Sequence, residues 1–256
     1  MSDAATESGL REQRRGHVVE FTIDRPARRN ALTVALVSAL ADRLLAAGAQ
    51  GVRAAVIAGG PPVFCAGGDL VDLGAVADEG PIAVNEVVYT QFHRLVSALS
   101  TVPYPVIAAI DGAALGAGLD LALCCDLRVA TGRSTFASSW IGVGLVPGMG
   151  GAHLLTRSIG SSRAHELVLL GHTIDAVTAS DWGLVNRVVE PDALPGAVAE
   201  VTDRVVSLPA TAVARSKASL RRAAQAGLTE ELATLGAVQG TLLTGPDFRE
   251  RTARFR

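Results

Sequence analysis

PVIAAIDGAALGAGLDLALCCD, residues 105–126, passes from an apolar run through a glycine-rich turn into a second apolar run. Tyr104 to Ile110 has the length and branched content of a buried strand, Asp111 to Gly118 interrupts it with glycines, and Leu119 to Cys125 resumes as a short helix. The same order occurs upstream. Arg53 to Ala58 reads as a short buried strand, Gly59-Gly60-Pro61-Pro62 as a turn, and Phe64-Cys65-Ala66-Gly67-Gly68-Asp69-Leu70 as a glycine-rich passage into a helix. Strands alternating with helices predict an α/β fold of βαβ-type units with right-handed crossovers. The loose recurrence of strand, glycine turn and helix is what a spiral of ββα turns would produce.

Working outward, His17 to Asp24 alternates as a strand, Arg25-Pro26 breaks it, and Arg28, Arg29 and Asn30 lead into a helix whose apolar face is Leu32, Leu36, Leu40 and Leu44. A longer helix is expected over Ala83 to Ser100, a strand over Leu127 to Ala130, and a helix over Pro147 to Ile159, entered through Pro147-Gly148-Met149-Gly150-Gly151. Three regions are therefore expected: a polar, frayed tail over 1–16, an α/β core over 17–192, and a helical appendage over 193–256, punctuated at Pro209, Gly227 and Gly245-Pro246.

Composition narrows the function. Apolar residues make up 49% of the 256 but aromatics only 4%, so the core must be built from Ala, Val and Leu packed as helices on a sheet. The 23 Lys and Arg nearly balance the 25 Asp and Glu, which leaves no field suited to nucleic acid or an anionic membrane, and an anionic ligand must be met by local charges. Cys65, Cys124 and Cys125 form no C-x-x-C pair and are expected as buried free thiols of a reducing, cytoplasmic compartment. The first residues lack the apolar centre of a signal peptide. Asp111, Asp120 and several glycines spoil Val102 to Cys125 as a membrane span. The five histidines, His17, His93, His153, His165 and His172, lack ligand spacing, so no metal is expected. There is no Walker P-loop, no third glycine for a dinucleotide fingerprint and no G-x-S-x-G elbow.

The two glycine turns carry the chemistry that remains. Each places backbone N–H groups at a helix start, where they can face a ligand oxygen. If the Gly68 N–H and a donor from Gly116-Ala117-Gly118 point at one spot, they form a two-donor hole for a carbonyl that becomes an oxyanion, each donor typically worth on the order of 3 kcal/mol of barrier. Read by physics alone, the same turns equally serve tight packing of strand on helix.

A resemblance resolves this choice. FTIDRPARRNAL (21–32), FCAGGDL (64–70), PVIAAIDGAALGAGLDLALCCD (105–126), FASSWIGVGLVPGMGGAHL (136–154) and DWGLV (181–185) resemble, in order, the motifs of the crotonase, or enoyl-CoA hydratase/isomerase, superfamily. The resemblance covers nearly the whole chain. It implies a crotonase-like spiral of ββα units with a C-terminal helical region that makes trimers or dimers of trimers. It also implies an acyl-CoA ligand, coenzyme A being carried by the substrate with no separate cofactor, and a thioester carbonyl held by the N–H groups of Gly68 and Ala117. Ala117 stands where the family has a middle glycine. Ala66 would line the adenine or pantetheine, Arg25, Arg28 and Arg29 are candidates for the phosphates, and Arg251 could reach a neighbouring subunit's ligand.

Two positions depart from the hydratases of the family, whose paired glutamates become Asp120 and Trp140. Hydration delivers water to one carbon and a proton to its neighbour, so two placed carboxylates share base and acid roles. Indole cannot exchange a proton in this way, and Asp120 is one methylene shorter than glutamate. Members that isomerise dienoyl-CoA also have Asp at the Asp120 position. Members that dehalogenate aromatic acyl-CoA have Trp at the Trp140 position but a nucleophilic Asp where Gly148 stands here. The reading that follows is an enoyl-CoA hydratase or isomerase with Asp120 as its sole carboxylate, the alternative being an acyl-CoA carrier or sensor whose water site Trp140 has closed. Trp140 itself is expected as an apolar wall of the acyl pocket, its N–H hydrogen-bonded.

Overall fold

Val18-Val19-Glu20-Phe21-Thr22-Ile23 alternates apolar with polar and forms a strand at one side of a six-stranded sheet. The computed structural model describes residues 9–60, 62–223 and 228–253. Within them the strands are β1 (Leu10–Arg15), β2 (Val18–Ile23), β3 (Ala54–Gly59), β4 (Val63–Cys65), β5 (Val106–Ile110), β6 (Ala113–Leu115), β7 (Leu127–Thr131), β8 (Thr135–Ala137), β9 (Ile174–Asp175) and β10 (Arg187–Val189). The first sheet runs β1-β2-β3-β5-β7-β10 and the second β4-β6-β8-β9. Successive turns of the chain lay β3 and β4, β5 and β6, then β7 and β8 alternately on the two sheets. Like strands stack in parallel, β3 on β5 on β7 and β4 on β6 on β8. This is the expected spiral of ββα turns. Every residue of β5 is buried, as a central parallel strand covered on both faces requires.

The helices are α1 (Val34–Ala49), α2 (Leu70–Ala77), α3 (Pro81–Ala83), α4 (Thr90–Thr101), α5 (Ala117–Cys124), α6 (Gly151–Ile159), α7 (Ser161–Leu170), α8 (Ala176–Asp181), α9 (Leu194–Val206), α10 (Ala210–Ala223), α11 (Leu228–Leu243) and α12 (Pro246–Thr252). Thr33 caps α1 by accepting from the Leu36 N–H at 3.2 Å, and Leu36, Leu40 and Leu44 form its buried stripe. Leu32 is not on that helix. It precedes the cap and bridges Gly68 through the backbone. Helix α3 runs into α4 through a π-helical stretch, Val84–Tyr89, so the rod expected over 83–100 spans 81–101. Helix α9 covers the outer face of the first sheet, packing Leu194, Ala197 and Val198 on Val56, Ile107 and Val129.

Two expectations need correction. The polar tail ends earlier than residue 16, because Leu10–Arg15 is an edge strand paired antiparallel with β2 from Leu10↔Ile23 to Arg15↔Val18. Only Leu10 is fully buried. The strand is held by backbone pairing and by ion pairs such as Arg11 with Asp24 at 3.1 Å, which is how a charged sequence can occupy a sheet edge. Residues 1–8 of that tail lie outside the described residues, as does Gly227. Asp111 to Gly118 is likewise not one turn. It contains β6, since Ala113-Ala114-Leu115 pairs with both β4 and β8 despite the flanking glycines.

Helix α10 is tied to the core by Lys217, and also by Arg221, whose Nη1 donates to Ser100 O at 3.4 Å. Lys217 Nζ on α10 donates to Leu99 O at 2.9 Å, Tyr104 O at 3.0 Å and Asp126 Oδ2 at 2.7 Å. Its side chain is only 10% exposed, so truncation leaves two carbonyls and a carboxylate short of a donor. Lys217→Ala is expected to lower unfolding free energy by about 2 kcal/mol, read by urea denaturation. An unchanged midpoint would show that α10 is held by other contacts.

Candidate active site

The glycine-rich passage after β4 is held from below by three partners. Leu32 N donates to Gly67 O at 2.8 Å and Asp69 N donates to Leu32 O at 2.8 Å, so the Gly68 N–H between them points to the opposite side. Asp69 caps α2, accepting from Val71 N and Asp72 N, and takes Arg25 Nη2 at 2.9 Å. Burial opposes ionisation of Asp69, but Arg25 and the two N–H groups outweigh it and hold the carboxyl below the usual range. Asn30, in the left-handed region at φ 56°, is buried and donates to Gly60 O and Val63 O. It holds the turn that lets Arg29 O accept from Ala66 N at 3.0 Å.

The second glycine turn docks against the first. Gly116 N donates to Ala137 O at 2.9 Å, and Ala117 opens α5, where its N–H has no acceptor within the helix. A Cβ on Gly118 would lie 2.3 Å from Cys65 O, so only glycine lets α5 start this close to β4. Gly67, at φ +112°, would carry a Cβ 3.6 Å from the Ala117 nitrogen, which places the two turns in contact.

One turn of helix further on, Asp120 is fully buried. Its Oδ2 accepts from Met149 N at 3.3 Å and its Oδ1 has no hydrogen-bond partner. The carboxyl presses on the first residue of α6: a Cβ on Gly151 would lie 2.0 Å from Oδ1. Asp120 thus sits at the start of a different helix, α6, as well as in the first turn of its own. Burial pushes its pKa up to about 7, against the lowering influence of Met149 N–H, the Trp140 indole and Gly151 N–H.

Trp140 lies on a 3-10 turn, Ser139–Val143, and is 7% exposed. The side chain is buried, but its Nε1 lacks the expected partner: although it lowers the Asp120 pKa, it forms no well-directed hydrogen bond. Gly116 lies beside it, a Cβ there reaching 4.0 Å from Nε1. Ser138 Oγ is a third buried polar atom without a partner. Buried groups of this kind cost free energy, and three of them gather at this site.

The arginines divide. Arg25 is engaged with Asp69 and with Ala31 O, so it acts as an internal strut. Arg28 and Arg29 stand exposed at the 3-10 turn before α1. Arg251 on α12 donates to Ser207 O at 2.8 Å, and Ala66 is half-buried beside the first glycine turn. Asn30, Tyr89, His93 and Gly151 were not singled out by motif reading. Their roles arise from contacts between segments far apart in the chain, although the G-G doublet at 150–151 was visible as a helix entry.

Two interlocked sheets wound in ββα turns, with a buried carboxylate beside paired glycine turns at helix starts, define a class of α/β proteins built on the crotonase fold. The sequence model of the enoyl-CoA hydratase/isomerase family matches residues 13–255. The chain is 35% identical over 229 residues to 2,3-dehydroadipyl-CoA hydratase of Escherichia coli (strain K12), covering 88% of each. It is 30% identical over 250 residues to the short-chain-enoyl-CoA hydratase of Clostridium acetobutylicum, covering 95% of this chain and 92% of that one. The crystal structure of an enoyl-CoA hydratase of Mycobacterium smegmatis superposes with a TM-score of 0.90 at 33% identity, over 97% of this chain and 96% of that one. The protein belongs to the enoyl-CoA hydratase/isomerase family.

Proposed function

We propose that the protein binds an acyl-CoA thioester and hydrates or isomerises an enoyl group, with Asp120 as the only proton-transferring carboxylate. The observation that carries this reading is Asp120 itself, buried beside the contact of the two glycine turns with a pKa of about 7, where a carboxyl exchanges protons near neutral pH. The N–H groups of Gly68 and Ala117 stabilise the thioester enolate, the first turned away from Leu32 and the second free at the head of α5. Arg28 and Arg29 meet the phosphates of the coenzyme, with Ala66 on the adenine or pantetheine side. Arg25 supports them indirectly by fixing Asp69. The C-terminal helices assemble the chain as a homotrimer or a dimer of trimers, and Arg251 faces a neighbouring subunit's ligand.

A second reading rests on Trp140. The indole replaces the second carboxylate of hydratases, and Asp120 Oδ1 is shut away from solvent behind it. That arrangement also suits a carrier or sensor that holds acyl-CoA without turning it over. The discriminating experiment follows the conjugated-thioester absorbance of short and long trans-2-enoyl-CoA with the purified protein, beside Asp120→Ala and a calorimetric titration with saturated acyl-CoA. Loss of absorbance that disappears in the variant is expected. Binding with no change in any enoyl thioester would establish the carrier instead.

A further inference from the structure

One peptide group joins an exposed histidine to the buried carboxylate. The carbonyl of Gly148 lies 3.0 Å from His93 Nε2, and the N–H of the same peptide, on Met149, points at Asp120 Oδ2. A carbonyl can only accept, so Nε2 carries the proton. The ring therefore donates to this carbonyl in the tautomer that the contact selects. Tyr89 and His93 pack together, ring centroids 5.4 Å apart, and the Tyr89 hydroxyl occupies the space where Gly148 would carry a Cβ. Tyr89 ends the π-helical stretch, a local underwinding of the helix that sets these two side chains on the loop before α6.

We propose that His93 is a positioning residue: by holding the Gly148 carbonyl it orients the Gly148–Met149 peptide so that the Met149 N–H stays aimed at Asp120, which sets how readily that carboxyl ionises. The inference rests on the reading of Asp120 as the proton-transferring group, and it extends that reading to a residue on another element. The titratable groups packed around this peptide are Asp120 and Cys124 on α5 and Tyr89 and His93 on the rod of α3 and α4. Cys124 Sγ lies 4.0 Å from Met149 O, and burial, then Cys125 and Asp120, push its thiol well up, so it stays protonated where Asp120 titrates. From the other side come only backbone N–H groups of the α6 entry and the Trp140 indole.

The test titrates Asp120 directly, by carbon NMR of protein labelled at aspartate carboxyls, with Asp120→Asn to assign the signal. His93→Phe keeps the packing on Tyr89 and removes the donor, while His93→Gln keeps a donor. The Phe variant is expected to move the Asp120 midpoint to higher pH, with roughly a fivefold fall in the ratio of ionised to protonated carboxyl at fixed pH, the equivalent of one ordinary hydrogen bond. The Gln variant is expected to titrate with the wild type. Coincidence of the Phe variant with wild type, or an equal shift in the Gln variant, would overturn the proposal. The pH dependence of kcat separates the two layers. If the NMR midpoint moves and the kcat limb does not follow it, His93 positions the peptide as proposed and the catalytic role of Asp120 is what fails.

Discussion

Asp120→Asn is expected to lower the proposed turnover of enoyl-CoA sharply and, at pH 8, to leave a protein more stable than the wild type. The first effect follows from removing the buried carboxyl proposed to transfer the proton, for which a fall of at least about a hundredfold is expected. The second follows from burial. The native Asp120 pKa is raised from 3.8 to about 7, so between those values the unfolded chain has released a proton that the native chain keeps. Native stability is fully present below the unfolded value, declines as pH rises through this window and reaches its floor above about 7. The charged carboxylate then costs the fold about 4 kcal/mol. An amide avoids that charge and still accepts from Met149 N, but its NH2 group has no acceptor where Oδ1 has none, which costs about 1–2 kcal/mol. A net gain of about 2 kcal/mol at pH 8 should vanish or reverse near pH 4, measured as denaturant midpoints at both pH values. Equal midpoints for the two proteins at pH 8 would mean that the charge costs the fold no more than the unpaired amide does, and a pKa raised as far as about 7 would be wrong.

Gly151→Ala is expected to be as damaging, although alanine is the better helix former by about 1 kcal/mol. The added methyl would lie 2.0 Å from Asp120 Oδ1 and 2.6 Å from its Cγ, and Asp120 is fully enclosed. Overpacking of this kind costs about 1–3 kcal/mol, and a carboxyl displaced by about 1 Å loses roughly a hundredfold in rate. The double variant with Asp120→Ala isolates the cause. There the three nearest atoms that the methyl would meet are removed, so Gly151→Ala should become much less costly, and the difference between backgrounds is the coupling of the two sites. A single Gly151→Ala variant with wild-type turnover would show that α6 can slide away from Asp120.

Motif order made the spiral legible, because each turn repeats an apolar strand, a glycine break and a helix, and those three signals are local. Gly68, Ala117 and Asp120 were named through the resemblance of their turn motifs to the family's, which is a matter of order along the chain. Edge strand β1 was not legible. LREQRR has one buried apolar side chain, and its order comes from a partner strand's backbone, which no side-chain pattern encodes. Nor was Arg25 legible as a strut. An arginine before a proline looks like free surface charge until Asp69, 44 residues away, is brought to 2.9 Å.

The sequence by itself determined the class of fold and the family, since each depends on which residues follow one another along the chain. The tertiary structure alone decided the chemical state of the site. The pKa of Asp120 depends on burial at the entry of α6, and the direction of the Met149 N–H depends on a peptide that His93 touches from a separate helix. Desolvation and hydrogen-bond direction are properties of the surroundings in space, so they exist only once segments distant in sequence have packed together.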